Sequence, residues 1–179
     1  MVERKEGWDW PRVQHESCPQ CDLDPSGLLA PALARALLVE AVGWQRFLVG
    51  ADDDRLRAPW VPEVWTPLQY AVHARDMLTV YRSRMLCALQ SADPLLPSFE
   101  PSPDIWIRYN EMPPPMVAAA INEAARGLID LLAHYPGPSW SRPAHRDDGA
   151  RFTVIGMAHF ALHEAHHHLL DATGALVRS

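Results

Sequence analysis

The chain has 179 residues, enough for one domain with a substantial core, and its 48% hydrophobic and 21% charged content is that of an ordinary globular protein. A net charge of −6 without any basic run argues against a nucleic-acid-binding surface. No apolar stretch is long enough to span a bilayer, so no membrane partner is expected. The polar start MVERKEGWDWP lacks the apolar core of a signal peptide, and the expected location is the cytoplasm.

Residues 1–24 read as a polar, irregular N-terminal arm carrying Trp8, Trp10, His15, Cys18 and Cys21. The three cysteines of the chain, an odd number, do not make a disulfide framework. His15, Cys18 and Cys21 stand in an H-x2-C-x2-C pattern that suits a zinc clip, but three donors leave a structural site one ligand short. Two other readings stay open: a Cys-Pro-Gln-Cys redox pair, whose usual βαβ setting is missing, and two reduced cysteines packed by the arm's tryptophans.

Residues 25–179 read as a single helical domain. A first helix is predicted from Pro25 to Val49, with Asp24 as N-cap, Pro25 in the first turn and apolar residues from Leu28 to Leu48 at helical period. Residues 50–65 form a polar connection in which Asp52, Asp53 and Asp54 lack the spaced ligands and turn glycine of a calcium loop, so a solvated turn is expected. The second helix has the clearest start: Thr66 caps it, Pro67 takes the first position and Gln69 completes a capping box, with periodicity running to Gln90. His73 lies on its apolar stripe, with Asp76 placed to accept the free ring N–H. Cys87 reads as a small buried hydrophobe.

The proline-dense residues 91–115 cannot form one regular element, although a helical turn fits Asp104–Asn110. A third helix is predicted from Pro115 to His134, then a loop over 135–151. No strand is evident. Four long amphipathic helices with long Pro-rich connections make an all-α four-helix bundle.

The last helix, opened by Thr153 and closed by Gly174, is rich in imidazoles: His159, His163, His166, His167 and His168. His159, His163 and His167 stand at i, i+4 and i+8 on one face, the spacing that lets two ring nitrogens on successive turns meet one metal ion. Buried imidazoles need partners, and His73 on a facing helix is the natural third ligand. Glu164 lies about 100° around the helix and reads as a supporting or surface residue. No cysteine or carboxylate stands beside His163 and His167 on their face, so the site is expected to stay open to water or substrate. A His159/His163 pair remains an alternative. The string His163-Glu164-Ala165-His166-His167 matches H-E-x-x-H, but too little chain lies beyond it to supply a metalloprotease's third ligand.

Trp65-Thr66-Pro67-Leu68 leading into His73-Ala74-Arg75-Asp76, together with Phe152-Thr153-Val154 leading into His163-Glu164-Ala165-His166-His167-His168, resembles the DinB/YfiT superfamily. The nearest likeness is to its actinobacterial branch related to mycothiol-dependent maleylpyruvate isomerase. Trp8-Asp9-Trp10, the Cys18–Cys21 segment and Tyr109 strengthen that likeness, which covers most of the chain. It implies an up-down-down-up bundle and a metal held by His73, His163 and His167. Zinc is the first expectation, with nickel or ferrous iron as alternatives. It also implies a low-molecular-weight thiol such as mycothiol as co-substrate, a small-molecule substrate and a homodimer. Relatives in this branch often carry Asp where Glu164 stands, and the extra His159 and His166 leave room for a shifted ligand set.

Three functions are consistent with these features. The first is a metal-dependent thiol S-transferase or isomerase. The second is a metal-dependent hydrolase. The third is a non-catalytic stress-response or interaction protein that uses the ion as a core staple.

Overall fold

In the computed structural model, which describes residues 10–99 and 102–176, Thr66 opens helix α3 (Pro67–Gln90) with a complete capping box. Its hydroxyl accepts from the Gln69 N–H at 3.2 Å, and the Gln69 side chain accepts from the Thr66 N–H at 2.8 Å. Two amides that a first turn leaves without helical partners are thereby satisfied. Helix α6 (Val154–Thr173) is capped with equal economy: Thr153 Oγ1 accepts from the Gly156 N–H, and Gly174 ends it in the left-handed region at φ 74°. A Cβ at Gly174 would lie 2.6 Å from the Trp60 ring, so both backbone and space require glycine there.

Helix α1 (Ala30–Gly50) begins at Ala30 rather than Pro25. Asp24 is not its N-cap; its carboxylate accepts from both the N–H and the hydroxyl of Ser26 and closes a local turn instead. The Asp52–Asp54 run is likewise more than a solvated turn. Asp52 caps the short helix α2 (Asp53–Arg57), accepting from the Asp54 and Arg55 amides, with acidic residues at the helix's positive end. Helix α4 (Pro103–Glu111) extends the turn expected around Asp104, and α5 (Pro114–His134) starts one residue early. Cys87 is half-buried.

The expectation of no strand is corrected. β1 (Leu95–Leu96) pairs in parallel with β2 (Pro143–Arg146), which pairs antiparallel with β3 (Arg151–Thr153). Strands this short carry too little alternation to be read from a sequence.

Four helices make the bundle, in up-down-down-up order: α1 packs against α5 and α6, and α3 packs against the same two. The fully buried layer includes Leu33, Leu37, Trp44, Leu68, Tyr81, Ile121, Leu128 and Met157. The Trp44 indole N–H donates to the Ala165 carbonyl at 2.9 Å, tying α1 to the middle of α6. Residues Trp10–Gln14 form a 3-10 turn that lies on α6, with Val13 fully buried and the Gln14 amide donating to the Arg151 carbonyl. Gly156 permits this approach, since a Cβ there would collide with Gln14 Oε1. Trp8 and Asp9 lie outside the described residues. Among the described residues no helix is long and apolar enough to cross a membrane.

Candidate metal centres

Because α6 is covered by α3, α1 and the arm, it is buried on several faces at once, and its polar side chains fall into two separate groups. The first faces α3. His73, Glu164 and His168 bring one donor atom each to within 4.8 Å of the others. His73 Nε2 lies 3.5 Å from Glu164 Oε2, and His168 Nε2 lies 3.4 Å from the same oxygen. Both separations exceed a strong hydrogen bond. They match the roughly 3.4 Å between imidazole nitrogen and carboxylate oxygen when both bind one tetrahedral zinc at about 2.1 Å. His73 Nδ1 is buried and makes no hydrogen bond among the described residues. His168 Nδ1 donates to Asp171 Oδ2 at 3.0 Å, the outer-side support that ligating imidazoles use. The residues fit a divalent cation.

The charges agree with this arrangement. Burial pushes the Glu164 carboxyl up, but His163, His168 and His73 outweigh it and hold the group well below the usual carboxylate range. Burial disfavours a charge on His168, yet Asp171 and Glu164 raise it to about 9. Burial lowers His73, which stays neutral. Without an ion, then, a His168 imidazolium neutralises Glu164, and a cation held by these residues would take the place of that proton. Trp65, Tyr70 and Trp106 wall the group: Trp65 lies 5.2 Å from His73 and 6.1 Å from His168 between ring centroids, and Tyr70 stacks on His168 at 5.5 Å. The Gln69 amide donates to the Trp106 carbonyl, and the Thr66 hydroxyl donates to Asn110 Oδ1, fixing α4 beside this wall.

The second group lies on the neighbouring face of α6. Cys18, Cys21, His163 and His167 bring four donor atoms to within 4.8 Å of one another. Cys18 Sγ stands 3.7 Å from His167 Nδ1. Trp10 covers both imidazoles, at 5.7 Å from His163 and 5.5 Å from His167 between centroids.

His73, His163 and His167 are thus distributed over two groups rather than gathered into one. Glu164 is not a surface residue; it is 8% exposed and points at His73 and His168. Asp76 does not serve His73: it accepts from Tyr109 and Arg75. The inward face of His163 and His167 does have cysteines beside it, supplied by the arm. His15 is exposed and stands outside both groups. His159 Nε2 donates to the Leu28 carbonyl at 2.9 Å, and His166 pairs with Glu40 at 3.0 Å, so neither joins a metal group. Glu164 and His168 stand at i and i+4 just as His163 and His167 do, so helical spacing alone does not choose between the two pairs.

His159 also sets a pH response. Its ring is 4% exposed and Nδ1 has no partner among the described residues, so burial lowers its pKa and the fold keeps it neutral. A base depressed in the folded state contributes stability that is complete above its unfolded pKa, near 6.5, and lost as pH falls below it. Urea unfolding at pH 7 and pH 5 is expected to give a smaller loss in His159→Gln than in the parent. The difference is bounded by about 1.4 kcal/mol per pH unit, the limit for one proton.

Comparison with known proteins agrees with the fold. No curated protein sequence matches the chain. The solved structure of YfiT from Bacillus subtilis, described as a probable metal-dependent hydrolase with an unusual four-helix bundle topology, superposes with a TM-score of 0.75. Identity is 17%, covering 93% of this chain and 97% of that one. The DinB superfamily model matches residues 35–172, which take in His73, the whole imidazole run of α6 and most or all of each bundle helix. The chain belongs to the DinB superfamily.

Proposed function

We propose that His73, Glu164 and His168 hold a divalent cation, zinc first, and that the protein is a metal-dependent enzyme acting with a low-molecular-weight thiol of the mycothiol type, as an S-transferase or isomerase. The observation that carries this reading is the convergence of the three donor atoms at 3.4 and 3.5 Å, with no fourth protein ligand in the group among the described residues. Three protein ligands are the arrangement of a catalytic rather than a structural site. When bound, the cation supplies Lewis acidity that acidifies a thiol or a water at neutral pH.

The chain's own residues do the rest. Asp171 holds the His168 ring in one tautomer and orientation. Trp65, Tyr70 and Trp106 exclude water and offer aromatic faces to the apolar part of a substrate. Two carboxylates beside the group are already engaged, Asp171 by His168 and Asp76 by Tyr109 and Arg75. Thiol chemistry does not need either as a base, whereas hydrolysis gains from a free one. A hydrolase is the second reading. It is favoured by the two-imidazole, one-carboxylate donor set, which zinc hydrolases use, and by the description of YfiT as a probable metal-dependent hydrolase.

The test is an assay of purified protein with mycothiol and either maleylpyruvate or monobromobimane, before and after chelation and beside His73→Ala. Thiol-dependent turnover that disappears on chelation, returns with Zn²⁺ and is absent from the variant is the expected result. Thiol-independent turnover of an ester or amide, rising with pH, selects the hydrolase. Rates never above the uncatalysed reaction with any thiol overturn the first reading.

A further inference from the structure

We infer that Cys18, Cys21, His163 and His167 form a second metal site, closed and of the Cys2His2 type, which takes Zn²⁺ and clamps the N-terminal arm onto α6. The inference does not depend on how the His73 group is read.

The donor set comes first. Two thiols three positions apart on the arm meet two imidazoles one helical turn apart on α6, the ligand types and spacings that zinc favours in structural sites. Zn–S near 2.3 Å and Zn–N near 2.1 Å, at a tetrahedral angle, place sulfur and nitrogen about 3.6 Å apart. Cys18 Sγ and His167 Nδ1 are 3.7 Å apart.

An independent observation comes from His163. Its side chain is 1% exposed, and neither ring nitrogen makes a hydrogen bond among the described residues. Glu164 Oε1 is 3.6 Å from Nδ1, beyond bonding distance, and belongs to the other group. A buried imidazole that makes no hydrogen bond at either nitrogen is costly, and a metal ion on one of them would relieve that cost.

The backbone brings the thiols into place. Cys18 N–H donates to the Leu23 carbonyl and Asp22 N–H to the Cys18 carbonyl, both at 2.9 Å, with Asp22 in the left-handed region at φ 58°. This tight loop turns both cysteines toward α6, and Trp10 covers the imidazoles. Four protein ligands leave no position for substrate, so the role is structural. Because His163 and His167 adjoin Glu164 and His168 in the chain, the clamp also fixes the rotation of α6 beneath His73.

The test measures metal per chain by plasma mass spectrometry on the full-length protein, on the Cys18→Ser/Cys21→Ser double variant and on Glu164→Gln. Cobalt-loaded wild-type protein is examined for thiolate-to-cobalt charge transfer, a readout that needs no variant to fold. Expected are charge transfer in the wild type and in Glu164→Gln, loss of one metal equivalent and of the band in the double variant, and protease cleavage of the arm only after chelation. A cobalt-loaded wild type without the band overturns the inference. So does a Cys18–Cys21 disulfide in freshly purified protein, or full metal content in the double variant. Failure of the His73 reading looks different: a single equivalent per chain, insensitive to Glu164→Gln and lost in the double variant.

Discussion

Trp44→Ala is expected to lower the free energy of unfolding by about 3–5 kcal/mol, the range for deleting a fully buried large aromatic side chain. A domain of this kind has about 5–15 kcal/mol in all, so the loss is a large fraction of the total. Trp44 is 0% exposed, meets Phe47 edge-on and donates its indole N–H to the Ala165 carbonyl. Ala165 directly succeeds Glu164, so the cavity left by alanine would open beneath the stretch of α6 that carries both metal groups. Trp44→Phe separates the two contributions. It keeps most of the volume and loses the hydrogen bond, for about 1–2 kcal/mol. Urea denaturation monitored by circular dichroism measures both; a loss below about 1 kcal/mol in Trp44→Ala would contradict the packing described for α1 and α6.

Glu164→Gln is expected to weaken metal binding at the His73 group by more than about 100-fold. Removing a residue that only supports a ligand already costs about 10–100-fold, and this change removes the anionic ligand itself. The amide matches the carboxylate in shape, so packing is preserved while the charge between His73 and His168 is lost. Competition against a chromophoric chelator would show one affinity class collapsing while the class belonging to Cys18 and Cys21 persists. If both classes survive unchanged, Glu164 is not a ligand.

Much of the fold was legible in the sequence for local reasons. The Thr66–Gln69 capping box, the Thr153 cap and Gly174 each satisfy specific backbone groups within a few residues of themselves, and each appears where spacing places it. Asp24 misled because an Asp can cap either a helix or an Asx turn, and Ser26 two residues on offered the closer partner. The short strands were invisible because β1 finds its partner about fifty positions away, and its own two residues hold no pattern. At the two donor groups the sequence pointed to α6 and His73 but did not separate the two faces of the helix. A helix buried on several sides gives periodicity no polar side to register against. Nor could spacing reveal that Cys18 meets His167 across 149 residues.

That both groups draw on one helix, offset by a single residue, has a consequence for how α6 can change through evolution. Each residue added to a helix rotates the segment beyond it by about 100°. One residue inserted between the Thr153 cap and His163 would swing His163 and His167 under His73, leaving Leu162 and His166 to face the cysteines. One deletion would turn Glu164 and His168 toward the arm and leave Ala165 and Leu169 facing α3. Substitutions along this segment can be absorbed one at a time, but its length cannot drift: a single codon gained or lost would replace the side chains that make up both donor groups at once.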